Sequence, residues 1–371
     1  MVRILYGVMG VGFGHSSRAD TIASILEDEH EILFASSNGA YDYLSKLGKN
    51  VAKIHGFNFS IKDNKIEYIR TFYNNALKAQ DTVFAIGKVV DICKEFKPDI
   101  IISDFEPFTA MASKFLRKPL ISIDHQHIIS NSKIEYSKKY IKQYQISKFV
   151  SSNIVNHANS YIISSFFFPH IIKKNTIIIP PLIRKEILET KTEKGPHTLV
   201  YMPYEGNIEL FKILREIENE EFIVYGAKKE SIEGNLHFKN ISKEGFIKDL
   251  SSSKAVISNG GYSLISEALH LKKPILTVPL LGQFEQVMNA YYLEKLNYGK
   301  YYEELDEIKI IGFLNNLAKY KRNLEMIKWN GKKDFKKVFD NFIYNISLEN
   351  LEGDIEEENK IISNDAQLAY A

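Results

Sequence analysis

Short runs of aliphatic and β-branched residues alternate with helical stretches along most of this chain. Each run is nearly continuous in Ile, Val and Leu, which is typical of parallel strands buried on both faces. The runs of the first series are Arg3–Val8, His30–Ala35, Val51–His55, Asp99–Ser103, Pro119–Ile123, Tyr161–Ser164 and Thr176–Ile179. Helical patterns between them cover Ser17–Leu26, Ile66–Phe96 and Phe108–Leu116. The alternation predicts an α/β fold with a doubly wound sheet.

A second series begins near His197. Its predicted strands are Thr198–Met202, Phe222–Tyr225, Ala255–Ser258 and Ile275–Val278. Its predicted helices are Ile208–Ile217, Lys243–Leu250, Ser263–His270 and Gln283–Leu296. A chain of 371 residues also exceeds one ordinary core, since domains hold roughly 100–200 residues. We predict two consecutive Rossmann-like domains.

The expected domain bounds follow from the same pattern. Residues 1–183 form the first domain and residues 184–331 the second, with a proline-containing linker inside Pro180–Pro196. The amphipathic stretch Asp334–Asn345, within residues 332–348, is expected to pack back on the first domain. Residues 349–371 are acidic and poor in apolar residues, so we expect a frayed tail.

Composition narrows the class of protein. Apolar residues make up 44% of the chain and charged residues 25%, as in globular proteins. The single cysteine, Cys93, excludes a disulfide framework and fits a reducing compartment. No apolar run approaches the ~20 residues that cross a bilayer. We expect a cytoplasmic protein that can bind peripherally to the inner face of the membrane.

The first strand runs into the glycine loop Gly10–His15, which leads into a helix. Closely spaced glycines let a ligand approach main-chain N–H groups. The third glycine comes one residue too early for a dinucleotide fingerprint, and no Lys-Ser/Thr pair follows, as a Walker loop requires. A tight turn would also explain these glycines. However, His15 stands at the carboxyl edge of the predicted sheet, where a histidine can act as a general base.

Two polar motifs follow strands of the second series. In Ser258–Ala268, paired glycines open a helix and Glu267 lies six residues after Gly261. A helix start attracts phosphate, and a carboxylate there can accept hydrogen bonds from a ribose diol. In Val278–Ala290, amide and carboxylate side chains suited to sugar hydroxyls recur at helical spacing. They are Glu285, Gln286 and Asn289. The simpler alternative for the first motif is a glycine N-cap with a solvent-facing glutamate. For the second motif it is an ordinary polar helix start.

These segments resemble glycosyltransferase family 28, which includes the peptidoglycan enzyme acting on lipid I and uncharacterised relatives. That family has a glycine loop ending in histidine after its first strand, as at Gly10–His15. It has a glycine and, six residues later, a glutamate, as at Gly261 and Glu267. Its adjacent amide pair after a V-P segment is replaced here by Glu285-Gln286. Its H-E-Q-N and N-P-V-R segments resemble His125-Gln126-His127 and Pro180–Arg184.

The resemblance implies a GT-B fold, in which two Rossmann-like doubly wound domains face each other across a cleft. It implies a UDP-sugar as co-substrate, held mostly by the second domain. It implies no cofactor and no metal ion, and the sequence has no Asp-x-Asp motif. Glu267 would contact the ribose, Arg184 would neutralise diphosphate charge, and Phe246-Ile247 would give the base a main-chain pocket. The diphosphate would lie near Gly260, Gly261 and Ser263. The donor sugar would lie near Glu285, Gln286 and Asn289.

The implied reaction is an inverting displacement that transfers a sugar to a hydroxyl. It needs a base for that hydroxyl and stabilisation of the leaving diphosphate. His15 is our first candidate base, His127 and Asp124 are the second, and Glu106 is the third. The acceptor-side loops would be formed by Gly12, Gly14, Glu106 and His125. The acceptor would be a sugar, a lipid or a polyprenyl-linked molecule.

The segment from Lys133 to Lys174 is basic, with seven lysines and the single acid Glu135, in a chain of net charge +2. Aromatic residues interleave with these lysines, which suits an anionic membrane surface. A solvated basic helix face followed by a buried strand at Ser164–Phe168 is the alternative. We expect no nucleic-acid partner, because no recognition motif accompanies the charge.

Two other functions remain open at this stage. The non-hydrolysing UDP-sugar 2-epimerases share the fold and would also use a ribose glutamate. Their arginine- and glutamate-rich donor segment is absent from Pro279–Asn289. A non-catalytic nucleotide-sugar-binding module would keep Glu267 but would not need His15.

Overall fold

The computed structural model describes residues 1–56, 61–62, 65–66, 79–202, 207–280 and 282–347. The tail predicted at residues 349–371 lies outside these ranges, and so do residues 67–78 of the predicted helix. Within the described ranges, no helix has both the length and the apolarity needed to cross a membrane.

The first of two large sheets is wholly parallel and has the strand order β11-β9-β7-β6-β1-β2-β3. Its strands are β1 (Arg3–Val8), β2 (Glu31–Ser36), β3 (Val51–Lys53), β6 (Ile100–Asp104), β7 (Leu120–Asp124), β9 (Ser160–Ser164) and β11 (Thr176–Ile179). Two short antiparallel pairs lie outside it. They are β4 (Ile61–Lys62) with β5 (Lys65–Ile66), and β8 (Ser132–Lys133) with β10 (His170–Ile171).

The second sheet has the order β14-β15-β13-β12-β16-β17-β18 and is parallel except at β14. Its strands are β12 (Thr198–Tyr201), β13 (Phe222–Tyr225), β14 (Ser231–Glu233), β15 (Leu236–Phe238), β16 (Ala255–Ser258), β17 (Ile275–Thr277) and β18 (Gly299–Tyr301). The sequence did not predict β14, β15 or β18. Each has three residues, which is too short for a hydrophobic period.

Helices cover the faces of both sheets. Those of the first half are α1 (Phe13–Leu26), α2 (Asn38–Lys46), α3 (Ala79–Phe96), α4 (Pro107–Leu116), α5 (Ile128–Asn131) and α6 (Ile141–Ile154). Next come α7 (Lys185–Glu189), α8 (Ile208–Glu216), α9 (Lys243–Ser252), α10 (Tyr262–His270) and α11 (Phe284–Lys295). The last are α12 (Glu307–Leu314), α13 (Leu317–Glu325) and α14 (residues 331–347).

Helix bounds correct two predictions. The helix predicted at Ile66–Phe96 is described only from Ala79, and Ile66 itself belongs to strand β5. Helix α1 starts at Phe13, four residues before the predicted start, because Gly12 adopts φ 95° and turns the chain there. His15 therefore lies in the first turn of α1 and not in a loop before it.

Strand β1 shows why continuous apolar runs form this sheet. Ile4, Tyr6 and Val8 join one buried cluster, whereas Leu5 joins the cluster on the opposite face. Phe335 and Phe339 of α14 lie in the same cluster as Ile4, so the last described helix packs on the first sheet. The chain thus forms the first sheet, then the second, and its last described helix packs again on the first. Helix α7 lies in the middle of the predicted linker.

Candidate active site

A cavity of about 560 Å³ lies between loops of the two domains. The β1–α1 loop forms one wall, and the β16–α10 loop forms the opposite wall. The predicted site residues that line it are Gly12, Gly14, His15, Arg184, Phe246, Gly261, Ser263, Glu267 and Glu285. The other predicted site residues do not line the cavity.

His15 is paired with Asp104 at the first wall. Its Nδ1 lies 2.6 Å from Asp104 Oδ1, and its side chain stays partly exposed to the cavity. Asp104 is the last residue of β6, which pairs with β1, and its side chain is fully buried. A carboxylate on Nδ1 holds the imidazole in one orientation and leaves Nε2 on the opposite side of the ring. This is the arrangement of a histidine base with an orienting carboxylate.

Arg18 completes this cluster one turn along α1. Its Nη2 donates to Asp104 Oδ1 at 2.6 Å, and its Nε donates to Oδ2 at 2.8 Å. Burial lowers the pKa of Arg18, but the Asp104 carboxylate outweighs burial and the net pKa shift is upward. The buried charge of Asp104 is therefore matched by a fixed cation. Sequence reasoning missed both residues, although Asp104 directly follows the predicted strand Asp99–Ser103 and precedes the candidate Glu106 by two residues.

The second- and third-choice bases lie in the first domain's core. His127 Nδ1 lies 2.6 Å from Asp124 Oδ2, and its Nε2 is 3.1 Å from Val155 O. Burial raises the pKa of Asp124, but His127 outweighs burial and the pKa falls to about 2. Glu106 caps α4 by accepting hydrogen bonds from the first-turn N–H groups, and burial raises its pKa. None of these three groups lines the cavity, because local hydrogen bonds hold each of them in the core.

The opposite wall is built from backbone and small side chains. Gly261 is the N-cap of α10, so the first N–H groups of this helix have no acceptor within it. At Gly260, where φ is 85°, an added Cβ would lie 3.0 Å from Gln286 O. An added Cβ at Gly14 would lie 2.6 Å from Ser263 Oγ. Gly14 therefore lets the start of α1 approach the start of α10, and Gly260 lets the β16–α10 loop pack closely on α11. The start of α10 can bind an anion.

The predicted donor-sugar residues separate in the structure. Glu285 reaches the cavity, and Gln126 Nε2 of the first domain donates to its Oε2 at 3.2 Å. The Gln286 side chain does not line the cavity. Its Oε1 accepts a hydrogen bond from Leu280 N at 2.9 Å and so stabilises the loop between β17 and α11. Asn289 is fully buried behind the wall. One of the three predicted side chains therefore faces the cavity directly.

Arg184 and Glu267 contact each other. Arg184 Nη2 donates to Glu267 Oε2 at 2.9 Å, and Nε lies 2.7 Å from Oε1. Burial raises the pKa of Glu267, and the guanidinium opposes that shift. The predicted ribose and diphosphate residues thus form one ion pair that joins the start of α7 to α10.

An aromatic recess continues the cavity past this ion pair. Phe246 and Tyr201 line it in an edge-to-face arrangement, with ring centroids 5.6 Å apart. Ile247, the other half of the predicted base pocket, is buried in the large hydrophobic cluster shared by the two domains and does not line the cavity. Across the described parts of the chain, no group of three or more His, Cys, Asp or Glu side chains could hold a metal ion.

The basic segment 133–174 joins the two domains. Tyr136, Tyr140 and Tyr144 pack against the large hydrophobic cluster to which both domains contribute, and Tyr140 OH lies 2.8 Å from Tyr301 OH. Lys139 forms an ion pair with Glu303. Two of the three consecutive phenylalanines, Phe166 and Phe167, are buried. Most aromatic residues predicted to face a membrane therefore stabilise the domain interface, whereas Phe149 and Phe168 are exposed.

His125 also crosses the interface. It was predicted on an acceptor-side loop, but its ring stacks on Tyr262 of α10 with centroids 3.9 Å apart. It does not line the cavity, because the ring is fully buried between the domains.

Comparison with known proteins supports the same fold and activity. Over residues 2–318 the sequence matches the family described as Glycosyl transferase family 1. Uncharacterized glycosyltransferases of Methanosarcina acetivorans and Methanosarcina mazei are 25% and 27% identical, over 81% of this chain and 85% of each relative. The UDP-N-acetylglucosamine--N-acetylmuramyl-(pentapeptide) pyrophosphoryl-undecaprenol N-acetylglucosamine transferase 2 of Bacillus cereus is 27% identical, over 46% of this chain and 56% of its own.

Solved structures share the two-domain architecture. The kitacinnamycin glycotransferase superposes with a TM-score of 0.65 at 13% identity, covering 87% of this chain and 92% of its own. Acinetobacter baumannii MurG superposes with a TM-score of 0.61 at 12% identity, covering 92% and 100%. The GT-B fold predicted from the sequence is confirmed. Because the family match spans most of its length, this chain belongs to glycosyl transferase family 1 and is a glycosyltransferase.

Proposed function

We propose that this enzyme transfers a sugar with inversion from a UDP-sugar to a hydroxyl acceptor without a bound metal ion. The observation that carries the proposal is the His15–Asp104 pair, 2.6 Å apart in a cavity whose opposite wall is the start of α10. A base and an anion-binding helix end thus face each other across one space. That is the arrangement a displacement at an anomeric carbon needs.

His15 acts as the general base. Asp104 accepts a hydrogen bond from Nδ1–H, so the Nε2 lone pair takes the proton from the acceptor hydroxyl. The hydroxyl oxygen then forms a bond to the anomeric carbon while the bond from that carbon to the phosphate oxygen breaks. The electron pair of the broken bond leaves with UDP, and Asp104 stabilises the imidazolium that has formed.

The leaving diphosphate binds at the start of α10. Gly261 and Ser263 line the cavity at this helix start, whose first N–H groups have no acceptor within the helix, and the helix dipole favours negative charge there. Arg184 supplies a guanidinium, which can hold a phosphate in a bidentate manner. Glu267 shares that guanidinium and receives the ribose hydroxyls. These groups stabilise the leaving group without a metal ion.

A donor screen tests this proposal. Purified enzyme is incubated with UDP-, dTDP- and GDP-sugars and a panel of sugar, phenol and polyprenyl-phosphate acceptors, and products are read by mass and anomeric NMR. We expect turnover of a UDP-sugar with inverted configuration, unaffected by EDTA and lost in His15→Ala. Retained configuration or a strict metal requirement would contradict the mechanism. Epimerised sugar without transfer would indicate a 2-epimerase, and binding without turnover would indicate a binding module.

We also propose that the acceptor is linked to a lipid, reached from an anionic membrane surface. The support is the excess of lysine in segment 133–174, the exposed Phe149 and Phe168, and the undecaprenol in the name of the Bacillus cereus relative. Each lysine near an anionic surface contributes about 1 kcal/mol.

Vesicle co-sedimentation tests the membrane proposal. Vesicles with anionic lipid should bind the enzyme at low salt and release it at high salt, because salt screens exposed charges. Replacing Lys138 and Lys142 with Gln should weaken binding. Lys139→Gln is left out, since it would also break the ion pair with Glu303. Equal binding to neutral vesicles, or none at low salt, would favour a soluble acceptor.

A further inference from the structure

His125 belongs to the first domain by sequence but is buried against the second. It directly follows β7, and its imidazole is fully buried. The ring stacks on Tyr262, the first residue of α10, with centroids 3.9 Å apart and planes 13° apart. A histidine that only filled the core of the first domain would contact that domain alone.

Hydrogen bonds extend this contact in both directions. Nδ1 of His125 lies 2.9 Å from Ser164 O of the first domain, and Nε2 lies 2.9 Å from Asn289 Oδ1 of the second. Asn289 in turn donates from Nδ2 to Gly260 O at 3.2 Å. The Ser164 hydroxyl lies 2.7 Å from Tyr262 OH. One imidazole therefore links a strand of the first sheet to two elements of the second domain.

These contacts meet around one short loop. Gly260 and Tyr262 flank Gly261, the N-cap of α10, at the wall proposed to bind the diphosphate. His125 reaches one flank through Asn289 and the other through its stack on Tyr262. Because Gly260 has φ 85° and glycine is conformationally permissive, the loop depends on its neighbours for a fixed shape.

We propose that His125 is a positioning residue that makes the shape of the donor loop depend on closure of the two domains. The inference rests on the proposed function, since it assigns the loop around Gly261 to the donor diphosphate. When the domains separate, the stack and the Nε2 contact are lost together, and the loop loses support on both flanks. The closed arrangement therefore binds the donor more tightly, although His125 touches no reacting atom.

Calorimetric titration with UDP tests the proposal, because it measures the affinity of the donor loop for the diphosphate without requiring turnover. His125→Ala should weaken UDP binding about tenfold or more and raise KM for the donor, with kcat at saturating donor changed by less than about threefold. His125→Phe, which keeps an aromatic ring against Tyr262 but loses both hydrogen bonds, should fall between wild type and His125→Ala.

A double-mutant cycle separates positioning from a general loss of packing. Asn289→Ala should weaken UDP binding less than His125→Ala does, because the stack on Tyr262 remains. The double variant should lose little more than His125→Ala alone, because the Nε2 contact of His125 acts on Gly260 through Asn289. His127→Ala is the matched control. It also removes a buried histidine after β7, but its partners, Asp124 and Val155, belong to the first domain. Its UDP affinity should equal that of wild type.

Each other outcome counts against the proposal. Unchanged UDP affinity in His125→Ala, or fully additive losses in the double variant, overturns it while leaving the proposed transfer reaction intact. Failure of wild type to bind UDP at all removes both proposals. Where His125→Ala does not fold, Tyr262→Phe deletes only the hydroxyl that meets Ser164 and should weaken UDP binding by about threefold. An unchanged affinity in that variant overturns the proposal as well.

Discussion

The two sheets of this enzyme are built alike, yet the edges that face the cavity differ. Each sheet presents a glycine-containing loop between a parallel strand and a helix, β1–α1 in the first and β16–α10 in the second. Behind the first loop stand buried charges, Asp104 with Arg18 and His15. Behind the second stand an amide, Asn289, and main-chain carbonyls.

This difference matches the two roles that we propose, general-base catalysis at the first edge and diphosphate binding at the second. A base must keep its orientation while its charge changes, and a buried carboxylate fixed by an arginine provides that stability. A diphosphate site needs N–H groups that are free to donate, and a helix start provides them. Substitutions at the first edge should therefore change the rate of the chemical step, whereas substitutions at the second should change donor affinity.

The largest expected effect is on turnover at the first edge. His15→Ala should lower kcat by roughly 10²–10⁴-fold, the usual contribution of general-base catalysis. UDP affinity should stay near that of wild type, because the proposed diphosphate groups lie on the other wall. Steady-state kinetics and UDP titration measure the two effects separately. A loss of UDP affinity as large as the loss in kcat would end the proposed separation of roles.

The buried charge pair gives the next effect, on stability. Asp104→Asn leaves the Arg18 guanidinium buried without a counter-charge, which costs about 3–5 kcal/mol when a buried pair is broken. Urea denaturation should show this loss. Combining Asp104→Asn with Arg18→Met should recover most of the stability but not the activity, since His15 still lacks its carboxylate. Recovered activity in the double variant would show that Asp104 serves only to hold Arg18.

Donor affinity tests the second edge. Glu267→Gln keeps the shape of the side chain but removes the charge that receives the ribose hydroxyls. UDP binding should weaken by about 1.5–3 kcal/mol, the range for a hydrogen bond to a charged group. Calorimetric titration measures it, with Glu285→Gln as a control whose UDP affinity should not change. Unchanged affinity in Glu267→Gln would mean that its ion pair with Arg184 only joins α7 to α10.

Local sequence patterns predicted the parallel α/β sheets, and the family resemblance predicted the GT-B architecture. The strands Arg3–Val8, Phe222–Tyr225 and Ala255–Ser258 have the predicted bounds, because apolar runs buried on both faces have sharp ends. The GT-B architecture is confirmed by structural similarity. The domain bounds and the roles of the site residues remain predictions. Where helix and strand positions depend on single residues, as at Gly12, the sequence pattern was less informative.

The partners of site residues were not predictable because they depend on strand order. Asp104 meets His15 across 89 positions in sequence only because β6 lies beside β1 in the sheet. His125 meets Asn289 across 164 positions because the two domains close on each other. Nothing in the spacing of Asp124 and Glu106 shows that hydrogen bonds hold them in the core. Sequence identified the residue types of the site but not which of them reach the cavity.

The smallest expected effect is a pH dependence of closure through His125. Burial lowers the pKa of this imidazole from its ordinary 6.5; Arg18 adds to the shift, and Glu285, Asn289 and Ser164 O oppose it. The closed arrangement thus holds fewer protons at this site than the open one. Closure is fully stable above about pH 6.5 and weakens as the pH falls, by at most about tenfold per pH unit.

Titration with a UDP-sugar from pH 7.5 to pH 5 measures this effect, and the sugar diester avoids the ionisation of the terminal phosphate of UDP. Donor affinity of wild type should fall below about pH 6.5, in line with the direction of the His125 shift. His125→Gln, which cannot take up a proton in this range, should bind more weakly but with a flatter pH profile. Because the half-buried His30 and His270 also have lowered pKa values, global unfolding would include their contributions, whereas donor affinity depends on groups at the cavity and the interface. A wild-type affinity that stays constant across this range would show that closure is not linked to the protonation of His125.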